Sequence, residues 1–290
     1  MQLHLIDGTY ELYRAYYGVP SMQSPDGLEV AGTYGITAST LALLAEPEVT
    51  HVAAAFDTVI ESFRNDLYDG YKTGEGIEAA LWAQFPMAEE AMRAIGITVW
   101  SMYDHETDDA LATAATRWAD EVDRVVVHSP DKDMYQLYGH PNVDGYDRRK
   151  RQFISAKSVV EKFGVSAGSI ADYLALVGDA ADGYPGLAGW GAKSSSTLLA
   201  RYGRIEDIPD DEGLWDVTVR SAERLAATLS EHRAEAMLYK DLATLRRDVP
   251  LEETLDQLEW RGVPQERFVA FCDRYGFSRL RDRPSRWLFG

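Results

Sequence analysis

Acidic side chains recur in this sequence where a parallel sheet would deliver them to one edge. Asp7 closes the apolar run at residues 3–6, Asp57 follows the run at 52–56, and Asp131 and Asp133 come just after the run at 124–128. In open parallel sheets ligands bind beyond the carboxyl ends of the strands. Glu106, Asp108 and Asp109 follow a further apolar run at 97–100, and Glu106 and Asp109 are spaced to share a face at the start of a helix. Any one such aspartate is commonly a helix cap or a turn residue. Several converging on one pocket cannot all stay ionised without cations, and hard oxygen donors select Mg²⁺ or Mn²⁺ over zinc. The 6 histidines include no His-x₃-His spacing. Such a cluster suits two-metal hydrolysis of a phosphodiester, in which ions about 4 Å apart activate water and stabilise the leaving oxygen.

Farther along, Asp179 and Asp182 precede a glycine-rich turn, and Lys193 opens a helical pattern. Gly186, Gly189 and Gly191 would let backbone N–H groups approach a phosphate, with a helix N-terminus and an ammonium group aimed at the same point. Glycines after a helix are more often plain stop signals. Beside the acidic cluster they belong to the same picture.

The elements that must position these residues change character along the chain. Short apolar runs at 3–6, 52–56, 97–100 and 124–128 alternate with Ala-, Leu- and Glu-rich segments, the pattern of an α/β unit with a mostly parallel sheet. Apolar residues near 143 and at 152–154 flank a polar stretch, which predicts a hairpin carrying Arg148, Arg149, Lys150 and Arg151. Such a basic run is usually a solvated patch. After about residue 156 the pattern is helical, with helices expected at 169–177, 194–202 and 221–245.

Composition bounds the possibilities. The chain has 290 residues, 46% hydrophobic, enough to bury a sizeable core. No apolar run approaches the roughly 20 residues of a membrane-spanning helix, so no membrane association is expected. A single cysteine, Cys272, allows neither an internal disulfide nor a cysteine zinc site, which fits a reducing cytoplasm. With 29 Lys plus Arg against 47 Asp plus Glu, the net charge of −18 argues against a broad basic surface for nucleic acid. Bound divalent cations would invert the local sign where the carboxylates meet.

Over nearly its whole length the chain resembles the bacterial and phage 5′-nuclease family, which includes the 5′→3′ exonuclease domain of DNA polymerase I and the flap endonucleases. The likeness is carried by Leu5-Ile6-Asp7-Gly8, Tyr13-Arg14-Ala15, Phe56-Asp57, Phe63-Arg64, Tyr71-Lys72, the acidic run 106–109, Asp131-Lys132-Asp133, and the stretches 179–193 and 242–251. It implies a PIN-like, mostly parallel α/β sheet with flanking helices, followed by a mostly helical helix-three-turn-helix part that grips duplex DNA. On that reading residues 1–160 form the nuclease core, with a helical arch at about 72–95, and residues 161–290 the DNA-binding part and a C-terminal packing segment. The implied metal ligands are Asp7, Asp57, Glu106, Asp108, Asp109, Asp131, Asp133, Asp179 and Asp182, holding two or more Mg²⁺ or Mn²⁺ ions. Lys72 and Arg64, assisted by Arg14, would stabilise charge at the scissile phosphate. Gly186, Gly189, Gly191 and Lys193 would hold a duplex phosphate, with a monovalent cation such as K⁺ in the turn. The expected partner is nicked, gapped or 5′-flap DNA, bound without sequence preference by a monomer and cleaved in replication or repair.

The sequence departs from the family pattern at Glu75, where an arginine is usual, and at Gly183, where asparagine is common beside the last aspartate; a modest local effect is expected of the latter. The stretch 73–95 carries Glu75, Glu78, Glu89 and Glu90 against Arg93 alone, an acidic balance that disfavours a threaded single strand. Three rival readings differ in class. A haloacid-dehalogenase-like phosphatase fails because its nucleophile position holds Leu5. A PIN-type ribonuclease would not need the helical half, and a silent binder of branched DNA would not need all the carboxylates. A free-standing nuclease is expected unless the sequence is one domain of a longer protein.

Overall fold

A computed structural model of the chain describes residues 1–288. In chain order its first elements are β1 (Gln2–Asp7), α1 (Gly8–Gly18), α2 (Ala31–Leu43), β2 (His51–Asp57), α3 (Phe63–Leu67), α4 (Ala79–Trp82), α5 (Phe85–Ala94), β3 (Thr98–Met102), α6 (Thr107–Trp118) and β4 (Arg124–His128). There follow β5 (Val143–Asp147), β6 (Gln152–Ile154), α7 (Ala156–Phe163), α8 (Ile170–Val177), α9 (Ala192–Tyr202), α10 (Ala222–Glu231), α11 (Arg233–Ala243), β7 (Val263–Pro264), α12 (Gln265–Tyr275) and β8 (Trp287–Leu288). The chain divides into two units, each discontinuous in sequence. The first takes residues 1–60, 74–129 and those from 247 onward; the second takes 61–73 and 130–246.

In the first unit the strands lie in the order β3-β2-β1-β4, all parallel. Ile6, Val52, Ala54 and Phe56 enter a core with Leu12 of α1, Ile36 of α2, Met92 of α5 and Phe268 of α12. The alternating residues Leu3, Leu5, Ala53 and Ala55 are equally buried and point the other way, and α6 packs against all four strands. Burial on both faces explains why these strands read as continuous apolar runs rather than alternating ones. The four strands expected from those runs all form, shifted by a residue or two at their ends.

The acidic stretch after residue 73 is not free-standing throughout. Phe85, Ala88, Ala91 and Met92 of α5 are core residues. Glu89 pairs with Arg93 at 3.0 Å and accepts from Thr58 at 2.6 Å, while Glu90 takes Arg274 at 3.2 Å and the Tyr275 hydroxyl at 2.9 Å. Two of the four glutamates read as repelling a strand are therefore neutralised within the fold. Glu78, beside α4, accepts from the Tyr16 and Tyr17 hydroxyls, each at 3.1 Å.

In the second unit β5 and β6 form the expected antiparallel hairpin, with Asp147 opposite Gln152. Asp147 accepts the Arg149 and Lys150 amides at 3.0 Å, which tightens the turn, and Arg151 takes a left-handed φ of 56°. The α-helices of this unit are α3 and α7 to α11. The continuous helix predicted over 221–245 is instead α10 and α11, broken at His232 (φ −115°, ψ 25°). The next residue explains the break: the Arg233 guanidinium donates to the Ile205 and Ile208 carbonyls at 2.8 and 2.9 Å, a tertiary anchor that overrides a good helical sequence.

Candidate functional site

In the first unit the acidic residues gather at the carboxyl edge of the sheet. Asp7 ends β1 and caps α1, accepting the Tyr10 amide at 2.8 Å and the Ser129 hydroxyl at 2.8 Å. Asp57 ends β2, receives the Thr107 amide at 2.7 Å, and has its own amide held by Thr9 at 2.8 Å. These bonds tie the N-terminus of α6 to the strand edge. Glu106 and Asp109 form a reciprocal capping box there, with the Glu106 amide 3.2 Å from Asp109. Asp7, Glu106 and Asp109 are buried; Asp57 and Asp108 are half-buried. Capping thus explains part of why acids stand here, and it also fixes their carboxylates where strand ends and a helix N-terminus meet.

The second unit holds the denser cluster. Asp133, Asp179 and Asp182 are all buried and each offers an oxygen within 4.8 Å of the others. Asp131, exposed, accepts the Asp133 amide at 2.9 Å. Burial, and then the charges of Asp131, Asp182 and Asp179, push the Asp133 carboxyl well above the usual carboxylate range against the opposing pull of Lys72. Its Oδ1 is fully buried with no hydrogen-bond partner. Two lysines partly compensate: Lys72 lies 2.9 Å from Asp182 and Lys132 2.6 Å from Asp179. Burial works against the Lys132 ammonium, but Asp179 beside it raises its pKa overall. An all-oxygen donor set with an orphaned buried carboxylate oxygen fits a hard divalent cation, which would supply the missing partner.

The turn that carries these acids is braced by glycines. Gly183 has φ 91°, and a Cβ there would lie 2.1 Å from the Gly70 carbonyl oxygen. The Lys72 amide in turn donates to the Asp182 carbonyl at 3.0 Å. A side chain at 183 would therefore displace the segment bearing Lys72. Gly186 (φ 71°) is in similar straits, its Cβ position 2.4 Å from the Gly178 nitrogen, so it shapes the turn.

Gly189, Gly191 and Lys193 line a cavity of about 770 Å³. Its walls include Arg220, Ser221 and Arg224, so the N-termini of both α9 and α10 border it. No acidic residue lines it, and among the described residues the Lys193, Arg220 and Arg224 side chains form no ion pair. Two helix N-termini and three cations without an ion-pair partner give this cavity the chemistry to hold an anion.

The remaining basic residues fall differently. Arg14 pairs with the buried Glu11 on α1. Arg64 is buried: its Nε donates to the Leu242 carbonyl at 2.8 Å and its Nη2 to the Thr244 carbonyl at 3.1 Å, at the end of α11. Next to it, Asn65 donates to the Lys72 carbonyl at 3.0 Å. Sequence reading did not single out Lys132, Tyr184, Arg220 or Arg224. The Asp-Lys-Asp pattern held a signal for Lys132; the others depend on tertiary placement.

Residues 2–164 match the family described as 5′-3′ exonuclease, N-terminal resolvase-like domain, and residues 165–266 match its C-terminal SAM fold. DNA polymerase I of Bacillus caldotenax is 34% identical over 286 residues, covering 97% of this chain and 32% of that protein. DNA polymerase I of Mycobacterium leprae is 33% identical over 287 residues, covering 97% and 31%. The chain thus spans about a third of the length of these relatives. In fold it is similar to the T5 D15 protein co-crystallised with metal ions (TM-score 0.68, 17% identity, 84% of this chain and 90% of that one). It is also similar to the catalytic core of Rad2 in complex with DNA substrate (TM-score 0.61, 15% identity, 94% and 88%). Both family domains, in order and together spanning most of the chain, establish that this protein belongs to the 5′-3′ exonuclease family of nucleases.

Proposed function

We propose that this chain is a divalent-metal-dependent 5′-nuclease that hydrolyses DNA phosphodiester bonds at nicks, gaps or 5′ flaps in replication or repair. The observation that carries the reading is the buried set Asp133, Asp179 and Asp182, whose oxygens approach within 4.8 Å and whose Asp133 Oδ1 lacks a partner. Asp7, Asp57, Glu106, Asp108, Asp109, Asp131, Asp133, Asp179 and Asp182 are the proposed ligands of two or more Mg²⁺ or Mn²⁺ ions. Such ions, when bound, activate water and neutralise charge on the phosphate.

The chain's own residues supply the rest. Lys72, 2.9 Å from Asp182, would stabilise charge at the scissile phosphate with its ammonium, with Arg14 in support. Arg64 contributes through position: its two carbonyl partners fix α3, from which Asn65 holds the Lys72 carbonyl. Lys193 and the amides near Gly189 and Gly191 hold a duplex phosphate, with Gly186 shaping the turn and K⁺ as its candidate monovalent ion. Contacts of this kind address the DNA backbone and carry no sequence preference. The proposed working form is a cytoplasmic monomer with its functional division near residue 160.

The test is cleavage of 5′-labelled nicked, flapped and single-stranded DNA, and of matched RNA, with Mg²⁺ or Mn²⁺. Shortened products from nicked or flapped DNA are expected. Cleavage of RNA alone would replace this reading with a ribonuclease, and tight branched-DNA binding without products in any condition would leave a silent binder.

A further inference from the structure

Tyr184 sits between Gly183 and Pro185, just past the last acid of the buried cluster. Its backbone pairs with Asp179 in both directions, the Asp179 amide donating to the Tyr184 carbonyl at 2.8 Å and the Tyr184 amide to the Asp179 carbonyl at 3.1 Å. Its ring is 1% exposed and stacks on Tyr239, with centroids 5.7 Å apart and planes within 19°. The hydroxyl at the end of this fixed ring is buried with no hydrogen-bond partner, and it lies in the field of Asp133, Asp182, Asp179 and Asp131. A phenylalanine would fill the same space without stranding a polar group.

Within the acidic cluster, Asp133 Oδ1 is also buried without a partner. Two buried polar atoms, one on an acid of the cluster and one on the residue whose backbone pairs with Asp179, each call for a polar partner. A phenol both donates and accepts, and Mg²⁺-type ions keep several waters when bound by carboxylates. We propose that Tyr184 is a positioning residue of the metal centre: its hydroxyl holds a water molecule accompanying a cation bound at Asp133, Asp179 and Asp182, and so orients the ion's hydration. This rests on the metal-binding reading above.

The test compares the full chain with its Tyr184→Phe variant, which keeps the stack and deletes only the hydroxyl. Calorimetric titration with Mn²⁺ in the absence of DNA should show affinity at least about 10-fold weaker in the variant, as for partners of metal ligands elsewhere. Its thermal midpoint in EDTA should equal or exceed that of the parent protein, whereas Tyr184→Leu, which loses the stack, should melt lower. Equal Mn²⁺ affinity in parent and Phe variant overturns this inference while leaving the metal centre standing. A lower EDTA midpoint for Tyr184→Phe also overturns it, because the hydroxyl would then have a structural partner. Absence of Mn²⁺ binding in the parent protein removes the inference and the metal reading together.

Discussion

Asp133, a proposed metal ligand, weakens the fold that holds it. Its folded pKa is raised, so its contribution to stability is present below the ordinary carboxylate value and is lost as pH rises through the folded one. In EDTA at pH 8, Asp133→Asn should therefore melt above the parent protein, by about 2–4 °C for each kcal/mol relieved. The gap should close below about pH 4, where the carboxyl is protonated in both folded and unfolded states. Thermal scans across pH with EDTA check this, and a variant that melts lower at pH 8 would contradict it. The basic residues separate by the same logic. Arg64→Ala strands the buried Leu242 carbonyl and the part-buried Thr244 carbonyl and should cost about 2–4 kcal/mol of stability. Lys72→Ala removes the cation beside the buried Asp182 carboxylate, so it should lower the denaturant midpoint in EDTA as well as cleavage in Mn²⁺. At this scale the sequence was a good guide to the acids, because Asp131 and Asp133 sit where an apolar run stops. It could not reveal the uses of Arg64 or Tyr184, whose partners Leu242 and Tyr239 lie far along the chain.

At the scale of elements, α9 and α10 matter through their ends. Their N-termini border one cavity with Lys193, Arg220 and Arg224, and a phosphate backbone is the polyanion such a pocket suits. Replacing any one of these cations by alanine should weaken duplex binding in Ca²⁺ without changing where cleavage falls. The slope of log affinity against log salt should decrease by about 1 per cation removed. Titrations at several salt concentrations measure it, and an unchanged slope for all three variants would exclude the cavity from DNA binding. The strands were legible because burial on both faces leaves unbroken apolar runs. The break between α10 and α11 was not, because no Pro or Gly marks His232 and the cause is Arg233 reaching Ile205. The arch segment was half legible: its acids were plain, and so was Arg93 four residues after Glu89, but Arg274, which neutralises Glu90, comes from far along the chain.

For the whole molecule, the net charge of −18 is the feature that sits worst with a DNA substrate. Its distribution resolves the tension in part. Lys72 and Lys132 already answer two of the clustered acids, and no acidic residue lines the cavity that holds Lys193, Arg220 and Arg224. Divalent ions should therefore act twice, enabling chemistry and reversing local charge so that a polyanion can approach. The most direct test is release of 5′-labelled products from nicked duplex DNA with Mn²⁺, with EDTA, and with the Asp131→Asn variant in Mn²⁺. Asp131 is exposed, so its substitution leaves the core intact. Products in Mn²⁺ that vanish in EDTA and fall by orders of magnitude in the variant are the expected result. Equal cleavage with and without the metal, or full activity in Asp131→Asn, would contradict a carboxylate-held metal centre.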